Sequence, residues 1–329
     1  MSQIQQPLKS KRPSTLSIWI TASRPHTLTA SISPCLVGFS LAPQTPWNWK
    51  AAWLIFCITV QLGTNLHNDY SDFVQGADTK HRVGQARATA QGWWTPEETC
   101  RAATGVLTVT FLSGVYLLHA SQQLLSLNFF AWFVVLSSIV NAFLYTGGPY
   151  PFGRIIGNFS LAYAGLGDLF VLLYFGLAAV LMLPYLEYCN NDNTLDDTLL
   201  FNDWISQLSW ATATGLLATN IIVVNNLRDR HTDVCAKKRT TAVRFGKRFS
   251  LAEYLACEVF AYAICIMQAV RWNQPWFLLP LASLPLAFQV TKGVFRLEGQ
   301  ALNPYVGGSA IVELTFCILL STAIALARR

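Results

Sequence analysis

The chain has 329 residues, of which 53% are hydrophobic and only 12% are charged. A typical soluble domain carries about 25% charged residues. The apolar residues come in blocks of roughly 20, which is the length that a helix needs to cross a hydrocarbon core. This composition excludes an ordinary soluble enzyme and predicts an all-α, polytopic membrane protein.

The apolar blocks predict about nine transmembrane helices around a central cavity, with no long linker between them. In chain order the predicted spans are 17–41, 50–69, 103–120, 126–146, 159–184, 208–228, 251–271, 274–292 and 306–327. Arg24 and Pro25 predict a break near the start of the first span, because proline cannot continue a helix normally. We therefore expect a polar, basic tail over residues 1–16 and one membrane domain over residues 17–329.

Lysine and arginine are distributed unevenly between the two sides of the predicted bundle. The N-terminal tail and the loops that share its side hold most of the 23 basic residues, whereas the loop at 185–207 contains acids and no Lys or Arg. Basic loops stay in the cytoplasm. We therefore predict that the N-terminus lies on the cytoplasm-like side of a bacterial inner membrane or an organelle membrane. The net charge of +6 reflects this pattern and requires no nucleic-acid partner.

Two clusters of oxygen-bearing side chains lie at the ends of apolar spans on that same side. Residues four apart on a helix share one face, and both clusters contain such a pair. Carboxylate and amide oxygens suit Mg²⁺, which usually takes its other ligands from water and substrate phosphate. The candidate metal ligands are Asn68, Asp72, Asp78, Asn226, Asp229 and Asp233. Helix caps and solvated loop acids are the alternative, but two matched clusters on one side favour a metal site.

Basic residues follow both clusters along the chain. Arg82 follows the first cluster, and Lys238 and Arg239 follow the second. Arginine binds phosphate oxygens through two parallel hydrogen bonds and lysine binds them as a point charge. The three residues are therefore candidate contacts for a diphosphate, although the basic bias of this side of the membrane explains any single one of them.

Two further segments contain candidate functional residues. Tyr145 begins an aromatic and glycine-containing stretch at the end of the fourth span, where glycine lets the backbone approach a ligand. Asp168 lies in or near the fifth span, and acids inside a membrane are costly enough to suggest a function. A turn at the membrane interface and helix packing through small residues are the alternatives.

Together these motifs resemble those of the UbiA superfamily of intramembrane aromatic prenyltransferases, over about residues 17–327. The family motif N-x-x-x-D-x-x-x-D is similar to Asn68-x-x-x-Asp72, which Asp78 follows two residues later than in the general pattern. That spacing resembles the MenA-like branch, which prenylates 1,4-dihydroxy-2-naphthoate. Four further stretches resemble the same branch, namely Asn225-Asn226-Leu227-Arg228-Asp229-x-x-x-Asp233, Ser23-Arg24-Pro25-His26-Thr27-Leu28, Tyr145-Thr146-Gly147-Gly148-Pro149 and Gly165-Leu166-Gly167-Asp168-Leu169.

Three departures from the family pattern are visible. His26 stands where lysine is common, and Gln85-Ala86-Arg87 replaces a more usual Gly-Pro-x-Arg run. The loop at 185–207 carries a polar insert, Asn190-Asn191-Asp192-Asn193. None of the three removes a candidate metal ligand, but the changes near Gln85 leave the identity of the prenyl donor more open.

The resemblance implies that two Mg²⁺ ions bridge the diphosphate of a polyprenyl or phytyl donor to the two acidic clusters. The prenyl group then replaces the ring carboxyl of the acceptor, with loss of CO₂ and diphosphate, in menaquinone or phylloquinone biosynthesis. The implied catalytic residues are Asp72, Asp229 and Asp168, and the implied substrate contacts are Arg24, Arg82, Lys238, Arg239 and Tyr145. The implied partners are the prenyl diphosphate, 1,4-dihydroxy-2-naphthoate and the lipid bilayer.

Two other functions stay open at this stage. The chain could prenylate another aromatic acceptor, homogentisate or 4-hydroxybenzoate, but the wording N-N-x-R-D of the second cluster speaks against it. A cation-coupled transporter is the candidate from a different class. Such a carrier would place its acids near the middle of the membrane, whereas here they lie at the ends of spans on one side.

Overall fold

The computed structural model describes residues 11–78, 83–126, 128–157, 159–190 and 203–328, and these residues contain helices and no β-strand. Apart from a short turn of helix at Gly153–Ile156, the described helices are α1 (Thr15–Ser23), α2 (Pro25–Leu41), α3 (Trp47–Val74), α4 (Pro96–Ala120), α5 (Phe129–Leu144), α6 (Gly167–Asn190), α7 (Trp204–Cys235), α8 (Thr241–Trp272), α9 (Pro275–Arg296) and α10 (Gly299–Ala327). The predicted all-α architecture is confirmed.

The predicted count of nine spanning helices is not confirmed. Within the described residues, six helices, α4 and α6 to α10, are long and apolar enough to cross a membrane. Helix α5 is apolar but has only 16 residues. Helix α3 has 28 residues, and its last turns carry the polar side chains of the first cluster, including Asp69 and Asp72.

The predicted break at the start of the first span is confirmed. Arg24 has a left-handed backbone (φ 52°) and separates α1 from α2. Pro25 occupies the first position of α2, where a backbone N–H would have no hydrogen-bond partner within the helix. The break lets the Arg24 side chain reach Asp69 of α3.

The predicted fifth span begins later than expected. Residues 159–166 are not helical and include turns over 161–165, and α6 begins only at Gly167. Gly165 has φ 75°, and a Cβ built there would lie 2.7 Å from the Arg239 carbonyl oxygen. This close approach brings the turns of residues 161–165 against the loop between α7 and α8.

The helices form two packed groups. Helices α7, α8, α9 and α10 enclose one hydrophobic core, and α3, α4, α5 and the later part of α6 enclose a second. Helix α2 contributes to both cores, since it packs against α3, α6, α7 and α10. The space between the two groups is available for a ligand.

Helices α6 and α7 cross at two glycines. A Cβ built on Gly176 would lie 2.6 Å from the Gly215 Cα, which is closer than real Cβ contacts allow. Small residues permit such close crossings in membrane proteins. Helix α6 also widens into π-helical turns over Leu172–Ala178, a form that often marks functional sites.

We predict that Gly176→Ala lowers the free energy of unfolding by about 1–3 kcal/mol, because the added methyl group forces α6 and α7 apart. Gly105→Ala on α4 is the matched control, because a Cβ there meets nothing within 4 Å. It should be neutral or stabilise by up to about 1 kcal/mol. Thermal unfolding in detergent, followed by tryptophan fluorescence, measures both. Equal melting temperatures would contradict the tight crossing.

Candidate active site

A cavity of about 280 Å³ lies between α2, α3, α5, α6 and α7. Helix α3 lines it from Asp72 to Trp53, a length of roughly 28 Å at about 1.5 Å per residue. The lining of α3 is polar from Asp72 to Gln61 and mainly apolar from Val60 to Trp53. We call the polar part the charged end. This gradient suits a molecule that has an anionic head and a long apolar tail.

Asp72 is the centre of the first cluster. Its side chain is 1% exposed, yet both carboxylate oxygens have partners. The Tyr163 hydroxyl donates to one oxygen at 2.6 Å. Lys238 Nζ, at 2.9 Å, and Arg87 donate to the other oxygen. Burial first, and then the negative charge of Asp72, raises the pKa of Tyr163 far above its ordinary value, so this phenol stays protonated and acts as a donor.

Arg87 joins the acids of the first cluster. Its guanidinium lies 3.2 Å from Asp78 and 3.4 Å from Asp69 and also contacts Asp72. Burial alone would lower the pKa of Arg87, but the three carboxylates raise it well above its ordinary value. Arg24 pairs with Asp69 as well. Arg24, Arg87 and Lys238 thus supply three positive charges for three buried carboxylates.

The second cluster is arranged around Arg228. Its Nε and Nη2 atoms donate to the two oxygens of Asp229 at 2.8 and 2.6 Å. The same guanidinium donates to Asn225 at 2.7 Å and to Asn303 at 3.0 Å. Asp229 and Asp233 are one helical turn apart on α7, and both line the cavity. This face of α7 therefore brings further oxygen ligands to the same charged end.

Asp168 lies behind the second cluster and holds Asn226. The Asn226 amide donates to Asp168 at 3.1 Å, and the Thr241 hydroxyl donates to the other carboxylate oxygen at 2.5 Å. These bonds turn the amide nitrogen of Asn226 toward Asp168. The amide nitrogen of Asn226 is therefore engaged by Asp168, which leaves its carbonyl oxygen as the atom that can act as a ligand, and Asn226 also lines the cavity.

Lys238 connects the two clusters. Its backbone N–H donates to the Asp233 carbonyl at 2.9 Å, while its ammonium group reaches Asp72. Lys237, with φ 57°, makes the turn that ends α7 and directs the chain back over the cavity. The Lys238 ammonium also lies 4.9 Å from the centre of the Tyr163 ring. The loop between α7 and α8 thus closes over the charged end.

The structure brings most of the candidate residues to the cavity. Those that line it are Arg24, Asn68, Asp72, Tyr145, Asn226, Asp229, Asp233 and Lys238. Three others do not line the cavity as described: Asp78 pairs with Arg87, Asp168 pairs with Asn226 and Thr241, and Arg239 is exposed. Arg82 lies outside the described residues.

The donor set fits Mg²⁺ that is bound together with a phosphate group. In the described ranges, no three His, Cys, Asp or Glu side chains form a closed metal site. A protein cage of that kind is not expected for Mg²⁺, which usually binds one or two carboxylates together with water and phosphate oxygens. Asn68 and Asp72 offer one such ligand set, and Asn226, Asp229 and Asp233 offer a second from across the cavity.

Sequence reasoning did not assign a role to Asp69, Arg87 or Tyr163. Asp69 and Arg87 carry charge close to the first cluster in the chain, and that proximity is a signal that could have found them. Tyr163 gives no comparable signal, because 91 residues separate it from Asp72 and only the fold brings the two together.

An all-helical membrane protein with paired oxygen ligands and cations at one end of a cavity, and apolar walls at the other, has the features of an enzyme for a lipid diphosphate. The chain belongs to the UbiA prenyltransferase family, whose model matches residues 31–303. In solved structures its fold is similar to that of a UbiA homologue from Aeropyrum pernix, with a TM-score of 0.61, 13% identity and coverage of 92% and 98% of the two chains.

A second structure, of a UbiA homologue from Archaeoglobus fulgidus bound to DMAPP and Mg²⁺, has a TM-score of 0.55 at 13% identity, covering 92% of this chain and 99% of the other. Among named relatives, the chain is 30% identical over 318 residues to the 1,4-dihydroxy-2-naphthoate octaprenyltransferase of Mycobacterium leprae, covering 94% and 96% of the two chains. It is 31% identical over 317 residues to the Escherichia coli protein of the same name, covering 91% and 94%.

Arg87→Ala should lower the free energy of unfolding by about 3–5 kcal/mol, because it leaves buried carboxylates without their shared counter-ion. Arg154→Ala is the control, since Arg154 is an exposed arginine in the short helix Gly153–Ile156. Thermal unfolding of both variants in detergent measures the difference. If Arg87→Ala unfolds at the same temperature as Arg154→Ala, the acids do not depend on this guanidinium.

Proposed function

We propose that this chain transfers a polyprenyl or phytyl group from its diphosphate to 1,4-dihydroxy-2-naphthoate, with loss of CO₂ and diphosphate. The observation that carries the proposal is the cavity, in which two oxygen-ligand sets and cationic side chains meet at one end of an apolar channel. Two relatives of nearly the same length, at 30% and 31% identity, are named for this acceptor, which supports it over other aromatic acids.

The two ligand sets would hold two Mg²⁺ ions, one at Asn68 and Asp72 and the other at Asn226, Asp229 and Asp233. Bound with the donor, these ions supply charge that stabilises the leaving diphosphate. Lys238 and Arg228 neutralise Asp72 and Asp229 in the described structure. With those carboxylates bound to metal, the two cationic side chains would be available to donate to the phosphate oxygens and to stabilise charge on the leaving diphosphate.

The chemistry balances without a further reactant. The allylic C–O bond breaks, and its electron pair leaves with the diphosphate. The ring carbon that bears the carboxylate forms the new C–C bond, and the bond to the carboxyl group then breaks to release CO₂ and return its electrons to the ring. The cavity walls below the charged end include Val60, Phe170 and Ile221, and such apolar walls keep water from the allylic cation.

Purified protein supplied with Mg²⁺, 1,4-dihydroxy-2-naphthoate and a mixture of prenyl diphosphates of graded length should form prenylated product and release equal amounts of CO₂ and diphosphate. Mass spectrometry of the products identifies the preferred tail. Chelation of Mg²⁺ should stop the reaction, because the leaving group loses its counter-charge. Homogentisate and 4-hydroxybenzoate are tested in parallel. The proposal is contradicted if the protein prenylates homogentisate or 4-hydroxybenzoate but not 1,4-dihydroxy-2-naphthoate. It is also contradicted if no acceptor is prenylated with any donor.

Variants of the two central carboxylates extend the same assay. Asp72→Asn and Asp229→Asn should each lower kcat by at least about 100-fold, the usual order for loss of one charge-stabilising group at a developing anion. Glu298→Gln is the control. Glu298 is an exposed acid that pairs with Arg230 and Lys247 and is absent from the cavity lining as described. Normal turnover in either aspartate variant refutes the paired-metal assignment.

We further propose that residues 17–329 form one membrane domain, with the N-terminus and the charged end on the cytoplasm-like side. The distribution of basic residues supports this orientation. The end of α7, the following loop and the start of α8 carry Arg228, Arg230, Lys237, Lys238, Arg239, Arg244, Lys247 and Arg248. Basic residues next to membrane helices are retained in the cytoplasm.

Cys235 provides a native test of that orientation, because it is exposed at the end of α7. A membrane-impermeant maleimide should label Cys235 in inside-out vesicles and should label it in right-side-out vesicles only after permeabilisation. The Cys235→Ser variant is the control, because any labelling that remains in it comes from the other cysteines. Labelling of Cys235 in intact right-side-out vesicles reverses the proposed orientation.

A further inference from the structure

Helix α5 presents a column of side chains to the cavity. Ser138, Asn141, Ala142 and Tyr145, which caps the helix, all line it. The spacing of three and four residues places them on one helical face. Helix α5 is otherwise strongly apolar, and polar groups in such a membrane helix are expensive unless they are paired or functional. Each polar member of the column therefore needs a partner.

Within the described residues, the side chains of Asn141 and Tyr145 find no such partner. The Tyr145 backbone N–H donates to the Asn141 carbonyl at 2.8 Å, but in the described residues neither the Asn141 amide nor the Tyr145 hydroxyl makes a hydrogen bond. Two other polar side chains of the lining, Ser138 and Gln61, do have partners. The Ser138 hydroxyl donates to the Val134 carbonyl at 2.6 Å, and the Gln61 amide is engaged by Ser31 and the Thr27 carbonyl.

An aromatic surface lies on the next helix of the cavity wall. Phe170 and Tyr174 of α6 both line the cavity, and their rings are parallel to within 10° with centroids 5.9 Å apart. The Tyr145 hydroxyl lies beside the start of α6, 3.1 Å from where a Cβ on Gly167 would be. Flat aromatic molecules pack favourably against such rings in offset or edge-on arrangements.

The column of α5 side chains also begins next to the charged end of the cavity, where the transfer reaction is proposed to occur. Thr146 follows Tyr145 directly, and its hydroxyl donates to Asn68 of the first ligand set. Asn141 lies one helical turn further from the charged end, a rise of about 6 Å. Groups at this level are close to where the first carbon of a donor must lie when its diphosphate is held by the two ligand sets.

We infer that Asn141 and Tyr145 bind the polar substituents of the aromatic acceptor and so determine its specificity and orientation. The amide both donates and accepts, and the phenol does the same, which suits ring hydroxyl and carboxylate groups. Phe170 and Tyr174 supply the surface against which the ring packs. The inference rests on the proposed transfer of a prenyl group to an aromatic acceptor, and it names the residues that select that acceptor.

Asn141→Leu tests this binding role with a side chain of similar size that cannot form hydrogen bonds. Its KM for the acceptor should rise about tenfold, the effect of losing one hydrogen bond, while its KM for the prenyl diphosphate stays within about twofold. Tyr145→Phe should behave likewise. Ser137→Ala is the matched control on the same helix, at a position outside the described cavity lining. Asn141→Ala gives a second substitution if the leucine variant folds poorly.

Acceptor analogues separate a binding role from a structural one. Naphthoates that lack one ring hydroxyl are measured as competitive inhibitors of the unmodified protein and of both variants. The unmodified protein should bind at least one of these analogues about tenfold more weakly than the full acceptor, and that discrimination should vanish in Asn141→Leu or Tyr145→Phe. A merely structural side chain would not alter discrimination between ligands.

The outcomes are distinct from those of the proposed function. Acceptor KM values that match Ser137→Ala, or equal rises in acceptor and donor KM, overturn the role of Asn141 and Tyr145. If the unmodified protein prenylates a different aromatic acid, the naphthoate assignment fails, and the same kinetic comparison with that acid decides the role of the column. A protein that prenylates no aromatic acceptor overturns both.

Discussion

The arrangement of the charged end depends on neutralising carboxylates that the fold has removed from water. Asp69, Asp72 and Asp78 are each 3% exposed or less. Isolated charges in such surroundings would cost several kcal/mol each. Arg24, Arg87 and Lys238 meet this requirement, and each comes from a different segment of the chain. Therefore the break between α1 and α2, the loop before α4 and the loop before α8 are all fixed around one group of acids.

The sequence was sufficient to predict the features that depend on composition and on helical spacing. Apolar blocks predicted an all-helical membrane protein, and Arg24 with Pro25 predicted the break between α1 and α2. The i, i+4 spacing placed Asp229 and Asp233 on one face of α7, and both line the cavity. Such features are local, so neighbouring residues in the chain determine them.

Features that depend on distant contacts could not be predicted in this way. The count of nine spans is not confirmed, because α3 ends in polar turns, α5 has only 16 residues and the break at Arg24 leaves α2 with only 17. The role of Tyr163 follows from its packing against Asp72 and from no pattern in its own segment. Likewise, Asn141 is one polar residue in an apolar helix, and only the cavity shows which way it faces.

The position of Lys238 has a consequence for the synthesis of the protein. Lys238 lies beyond α7, so a chain still emerging from the ribosome acquires α3 and its acids long before this lysine and the second ligand set. A partly inserted chain therefore has only about half of the side chains that would bind a diphosphate. The reactive centre comes into existence late, when the surrounding helices are present to shield a carbocation from water and from the lipid around it.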